Sequence, residues 1–128
     1  MIPKSNKPTE SELEILTILW KEQNATVRFV HEELLKTKDA GYTTTLKLMQ
    51  IMHEKGLLTR NTDSKIHLYQ AAIDKSATQT QIVNKMVSKL FSGSPTEMVL
   101  QALGSNKTSN EELQKIEKLI AELKQQNE

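Results

Sequence analysis

The chain contains no cysteine. Disulfides, thiolate metal sites and cysteine nucleophiles are thereby excluded, and a reducing compartment is the natural setting. Aromatic residues make up only 4%, too few for the stacking platforms that hold single-stranded nucleic acid. No apolar run approaches the roughly 20 residues needed to cross a bilayer. The opening MIPKSNKPTE lacks the apolar centre of a secretion signal. A cytoplasmic protein that does not enter a membrane is therefore expected. Neither sign of charge dominates, for 17 Lys and Arg face 16 Asp and Glu, a formal net charge of +1. A bulk polycation is excluded, and any contact with nucleic acid must come from a local patch. His31, His53 and His67 are scattered over separate predicted elements. No glycine-rich phosphate loop, nucleophile elbow or metal-ligand spacing accompanies them. No catalytic residue, no metal and no cofactor is expected, and the chain does not read as an enzyme.

Hydrophobic residues amount to 37% of the 128 positions, a little low for a self-sufficient monomer. Residues 1–8, with two prolines and two lysines, read as a loose arm. Thr9-Glu10-Ser11-Glu12 has the spacing of a capping box. The helix it opens runs to about Gln23, with Leu13, Ile15, Leu16, Leu19 and Trp20 inward. Ala25-Thr26-Val27 is long enough only to add an edge to a small sheet. Thr26 then caps a second helix over 27–36, with Val27, Phe29, Val30 and Leu34 inward. After a turn at 37–41 a third helix covers 42–55, stopped by Gly56 in a left-handed conformation. Residues 57–61 read as a strand, 62–64 as a turn and 65–70 as the returning strand. Helix, short strand, helix, helix, β-hairpin is the order of a winged helix-turn-helix domain, here over 9–73.

The third helix has two faces. Thr45, Leu48, Met49 and Met52 recur at helical spacing and call for a core. Thr43, Thr44, Lys47, Gln50 and Ile51 point largely the other way, with no acid before Glu54. Ordinary solvated faces mix Glu with Lys. A face of Thr, Lys and Gln without carboxylates can approach an anionic polymer, as a recognition helix does in the major groove of DNA. Between Tyr42 and His67 four Lys or Arg (Lys47, Lys55, Arg60, Lys65) stand against Glu54 and Asp63. Because the excess is small, a winged-helix protein-interaction module that touches no DNA remains the alternative reading.

From Asp74 the composition changes. Asp74 can cap a long helix over 75–92, ended by Gly93. Ser94, Pro95 and Glu97 have the positions of cap, first-turn proline and third-residue acid of a short helix closed by Gly104. Ser109-Asn110-Glu111-Glu112 is a further capping box. The three helices carry apolar stripes: Ile82, Met86 and Leu90; Met98, Leu100 and Leu103; Ile116, Leu119, Ile120 and Leu123. So small a region is marginal alone. Residues 74–128 are read as a helical dimerisation domain in which two chains interleave. The competing reading is a self-contained bundle packed on the first domain. A homodimer would set two recognition helices one duplex turn apart, as a palindrome requires.

Three stretches, LEILTILWKEQNATVRFVHEEL at 13–34, GYTTTLKLMQIMHEKGLLTR at 41–60 and KLFSGSP at 89–95, resemble in order the penicillinase-repressor family of bacterial winged-helix regulators, which includes the methicillin-resistance and copper-responsive repressors. The resemblance spans Pro8 to Leu123. It implies a homodimeric transcriptional repressor on a palindromic DNA operator, regulating genes such as a resistance or sensor operon. Carried over by position, Thr43, Thr44, Lys47 and Gln50 would face the bases. Thr26 and Arg28, with Arg60 and Lys65 in the wing, would hold phosphates. The wing departs from the family pattern, with Ser64-Lys65 where a Gly-Arg turn is usual. In β-lactam-responsive members an Asn-Phe bond in the short dimerisation helix is cut on signal from a membrane sensor protease, which would then be a partner. The matching dipeptide here is Gln101-Ala102, so that site is not preserved. Copper sensing through paired C-terminal cysteines is excluded.

Overall fold

A computed structural model of the chain describes residues 7–127. The arm expected over 1–8 lies almost wholly outside the described residues. The elements are α1 (Glu10–Glu22), α2 (Val27–Leu35), α3 (Tyr42–Glu54), β1 (Leu58–Asn61), β2 (Leu68–Ala71), α4 (Lys75–Leu90), α5 (Pro95–Ser105) and α6 (Asn110–Gln126). Two compact units divide the chain, Met1–Thr80 and Gln81–Glu128. Among the described residues no helix is long and apolar enough to cross a membrane.

Helix starts in the first unit follow local cap chemistry. Thr9 Oγ1 accepts from the backbone of Glu12, and the Glu12 carboxylate returns to the Thr9 N–H, a complete capping box. Thr26 Oγ1 accepts from Phe29 N–H at the start of α2. Behind these caps, apolar residues at helical spacing meet in one core. Ile15, Leu16 and Leu19 from α1 pack with Val27, Val30 and Leu34 from α2, Met49 and Met52 from α3, and Leu57, Leu58 and Tyr69 from the hairpin. Fully burying one such side chain contributes about 1.5–3 kcal/mol. Ala25 joins the sheet through a bridge to Tyr69, with N···O distances of 2.9 and 2.8 Å, so the α1–α2 connection is tied to the wing. Trp20 Nε1 donates to the Ile73 carbonyl at 3.0 Å.

Three boundaries and one cap depart most from those read in the sequence. The returning strand covers Leu68–Ala71 rather than 65–70, because Asn61 pairs with Leu68 and leaves 62–67 as the connection. That connection satisfies itself, with Asn61 Oδ1 accepting from Asp63 N–H and Ser64 Oγ donating to the Ile66 carbonyl. α4 stops at Leu90 rather than 92, since Ser92 and Gly93 take φ of 50° and 80° and Gly93 N–H returns to the Val87 carbonyl. α5 runs through Gly104 to Ser105, where Ser105 Oγ donates to the Gln101 carbonyl and Asn106 Nδ2 to that of Ala102. At α6, Ser109 caps Glu112 N–H, but the Glu112 carboxylate takes the Ser109 hydroxyl and not its backbone N–H, so the box is half formed.

One ion pair ties the ends of two helices together. Lys55, the C-cap of α3, places Nζ 2.9 and 2.7 Å from the two carboxylate oxygens of Glu12. Glu12 is buried and the Lys55 side chain is 21% exposed. Burial pushes the Glu12 carboxyl upward. The hydrogen bonds from Lys55 and Thr9, with the Lys55 charge, outweigh burial and hold it below the usual carboxylate value. A lowered folded-state value contributes stability that is present above the unfolded-state value and lost as pH falls through the folded one. Glu12→Gln should cost about 2 kcal/mol at neutral pH, less than a fully buried pair because Lys55 reaches solvent. Urea unfolding of the two proteins should show this gap at neutral pH. It should close once acid has protonated the wild-type carboxyl.

Candidate nucleic-acid interface

The core holds α3 by one side only. Thr45, Met49 and Met52 are buried, Leu48 is half-buried, and Thr43, Thr44, Lys47, Gln50 and Ile51 are exposed. Thr45 is polar yet buried because its Oγ1 donates to the Gly41 carbonyl at 3.2 Å and lies 3.4 Å from His31 Nδ1. The His31 ring meets Tyr42 edge to face, centroids 5.5 Å apart. These contacts seat the first turn of α3 against α2. The exposed face carries no carboxylate until Glu54 at its last residue.

Two grooves flank that face. On the α1 side, Thr43, Thr44 and Lys47 line a groove of ≈ 440 Å³ with Thr9, Ser11, Leu48 and Ile51. On the wing side, Gln50 lines a cleft of ≈ 410 Å³ with Thr26, Val27, Arg28, Tyr42, Leu46, Arg60, Lys65, Ile66, His67 and Tyr69. The eight residues read as DNA-facing thus divide, three on one side of α3 and five on the other. Sequence spacing could not reveal this, since it depends on how α1 and the hairpin pack beside the helix. Ser11 and Tyr42 also border the grooves, and nothing in the sequence spacing points to them, whereas His67 reads from the sequence as a wing residue beside Arg60 and Lys65.

The wing-side cleft is electrostatically one-sided. Arg28, Arg60 and Lys65 line it together with His67, and neither Asp nor Glu does. The Arg60 guanidinium carbon sits 6.0 Å from the Tyr69 ring centroid. Its Nε is buried without a hydrogen-bond partner. Thr26 Oγ1 already accepts from Phe29 N–H, which leaves its hydroxyl proton free to donate. Lys55, counted in the local surplus of base, is instead committed to Glu12. Arg28 takes its place in the positive surface.

In the second unit the apolar stripes stay uncovered. Beyond Thr78 no described residue is buried. Met86, Leu90, Leu100, Leu119, Ile120 and Leu123 are exposed, Leu90 by 74% and Leu100 by 65%, while Ile82, Met98, Leu103 and Ile116 are half-buried.

The model of the penicillinase repressor family matches residues 8–122. The methicillin resistance regulatory protein MecI of Staphylococcus aureus (strain N315) is 22% identical over 117 residues, covering 91% of this chain and 95% of that protein. The penicillinase repressor of Bacillus licheniformis is 24% identical over 116 residues, covering 91% of each. The solution structure of the DNA-binding domain of the repressor BlaI superposes with a TM-score of 0.50 at 26% identity, over 59% of this chain and 89% of that one. With the family model spanning both the winged-helix domain and the helices that follow it, this chain belongs to the penicillinase repressor family of DNA-binding, winged-helix transcriptional repressors, which are not enzymes.

Proposed function

We propose that the chain acts as a homodimer that binds a palindromic operator in double-stranded DNA and represses transcription in the cytoplasm. The observation that carries this reading is the exposed, carboxylate-free face of α3 beside a cleft lined by Arg28, Arg60 and Lys65 without an acid. On this reading α3 enters the major groove. Lys47 and Gln50 have the donors and acceptors to read guanine and adenine edges, and the Thr43 and Thr44 hydroxyls meet bases or phosphates. Thr26 and Arg28 at the start of α2, with Arg60 and Lys65 of the wing, hold the backbone and fix the register.

The helical domain over 74–128 supplies the pairing. Eight large apolar residues between Val83 and Leu123 are exposed, an arrangement a monomer in water does not favour. Each one buried against a second chain contributes up to about 1.5–3 kcal/mol, enough together to exceed the roughly 4–15 kcal/mol cost of association. The resulting pair offers two copies of α3 to successive major-groove faces about 34 Å apart. We do not assign release to cutting at an Asn-Phe bond by a membrane sensor protease. Gln101-Ala102 occupies that position, within α5, with both carbonyls accepting from side chains one turn on.

Lys47→Glu puts a carboxylate into the groove and should weaken operator binding by about 100-fold or more. Sedimentation should still show the dimer. Unchanged affinity in a gel-shift titration would remove α3 from its assigned role. Leu119→Asp or Leu123→Asp should yield monomers by sedimentation and lower operator affinity strongly, and tight binding by a monomeric variant would contradict the dimer. Wild-type affinity should fall steeply as salt rises, through counterion release. Salt-independent behaviour would favour a protein-interaction module instead.

A further inference from the structure

The wing-side cleft holds one cationic group whose charge is conditional. Arg28 from α2, Arg60 from β1 and Lys65 from the connection to β2 carry permanent charge, and no carboxylate lines the cleft to balance them. Like charges gathered this way repel one another and are relieved by an anion from outside. Arg60 Nε has no partner within the protein among the described residues. His67 lines the same cleft from the residue just before β2, and it is exposed. The two faces of the hairpin differ in this respect, since the groove on its other side includes Asp63 beside Arg60.

We propose that His67 is a further phosphate-contacting residue of this cleft, active only when protonated, so that binding of duplex DNA takes up a proton. The inference rests on the DNA-binding reading above. Imidazole is the side chain that changes charge between about pH 5 and 8. A phosphodiester stays ionised over that range, so the contact gains its charge–charge character only from the imidazolium. The other charged or titratable groups lining the cleft are Arg28 from α2, Tyr42 from α3, Arg60 and Tyr69 from the strands, and Lys65 from the same connection as His67. None of these is a carboxylate, and Asp63 of the same connection lines the other groove instead. Affinity is therefore expected to fall as pH rises from about 6 to about 8.

The other two histidines are placed differently. His31 lies with Nδ1 3.4 Å from Thr45 Oγ1 and its ring edge-on to Tyr42. His53 sits in the last turn of α3, and neither lines the cleft.

The test uses the full chain and a short duplex that the protein itself selects from a random-sequence pool. Dissociation constants are measured over a salt series at about pH 6 and about pH 8, either side of the imidazole titration. Each phosphate contact adds roughly 0.9 to the slope of log affinity against log salt. The wild-type slope should be steeper at the lower pH by about that amount. His67→Gln should give the shallow slope at both pH values and His67→Lys the steep one at both. Thermal melts check that each variant is folded, as expected for an exposed position. A wild-type slope that does not change with pH, or a His67→Gln variant that keeps the difference, would overturn the inference while leaving DNA binding intact. Failure of the wild type to select any duplex would overturn the DNA-binding reading itself.

Discussion

The Glu12 carboxylate is where the beginning of α1 and the end of α3 are fastened together. It closes the capping box with Thr9 and receives both short contacts from Lys55 Nζ. Lys55 is followed by Gly56 at φ 86°, which reverses the chain into Leu57 and the first strand of the wing. The pair therefore fixes the tilt of α3 and the departure point of the hairpin at once. With Thr45 and His31 holding the first turn against α2, the helix is anchored at both ends and along its inner stripe. These contacts set which face of α3 turns outward. Such preorganisation matters for a reader of DNA, because misplaced side chains leave base edges unpaired.

Much of the first unit was legible because its signals are local. The caps at Thr9 and Thr26 depend on residues at most three apart, and the inner stripe of α3 follows from the helical period alone. The order of helices and hairpin came from the same kind of evidence. What was not legible is non-local. Alternation within one segment starts the returning strand at Lys65, three residues before its observed start, because the pairing of Asn61 with Leu68 is decided by register across the sheet. Gly104 has the signature of a terminator, but side chains of Ser105 and Asn106 support the last turn around it. Lys55 looks like available base in the sequence because nothing in its neighbourhood points to a carboxylate 43 positions away. The candidate site shows the same division. Its residues can be named from the sequence, but their separation into two grooves, and the company of Tyr42, depend on the packing of α1 and the wing beside α3.

The two units use their apolar residues in different ways. The first closes a core around Leu16, Val30 and Met49, each 0% exposed. The second leaves comparable residues in contact with water along all three of its helices. Membership of a repressor family gives that asymmetry a context. In the proposed dimer the second unit reaches its buried state only with a second chain, so its stability and the occupancy of DNA are linked through protein concentration by mass action.

The single tryptophan has a further use. Trp20 donates its indole N–H to the carbonyl of Ile73, where the wing ends and α4 is about to begin. With no second indole in the chain, emission from this ring is an unlabelled optical reporter of that junction. Any effector that loosens the joint would be visible as a colour shift in fluorescence, without a dye and without DNA in the cuvette.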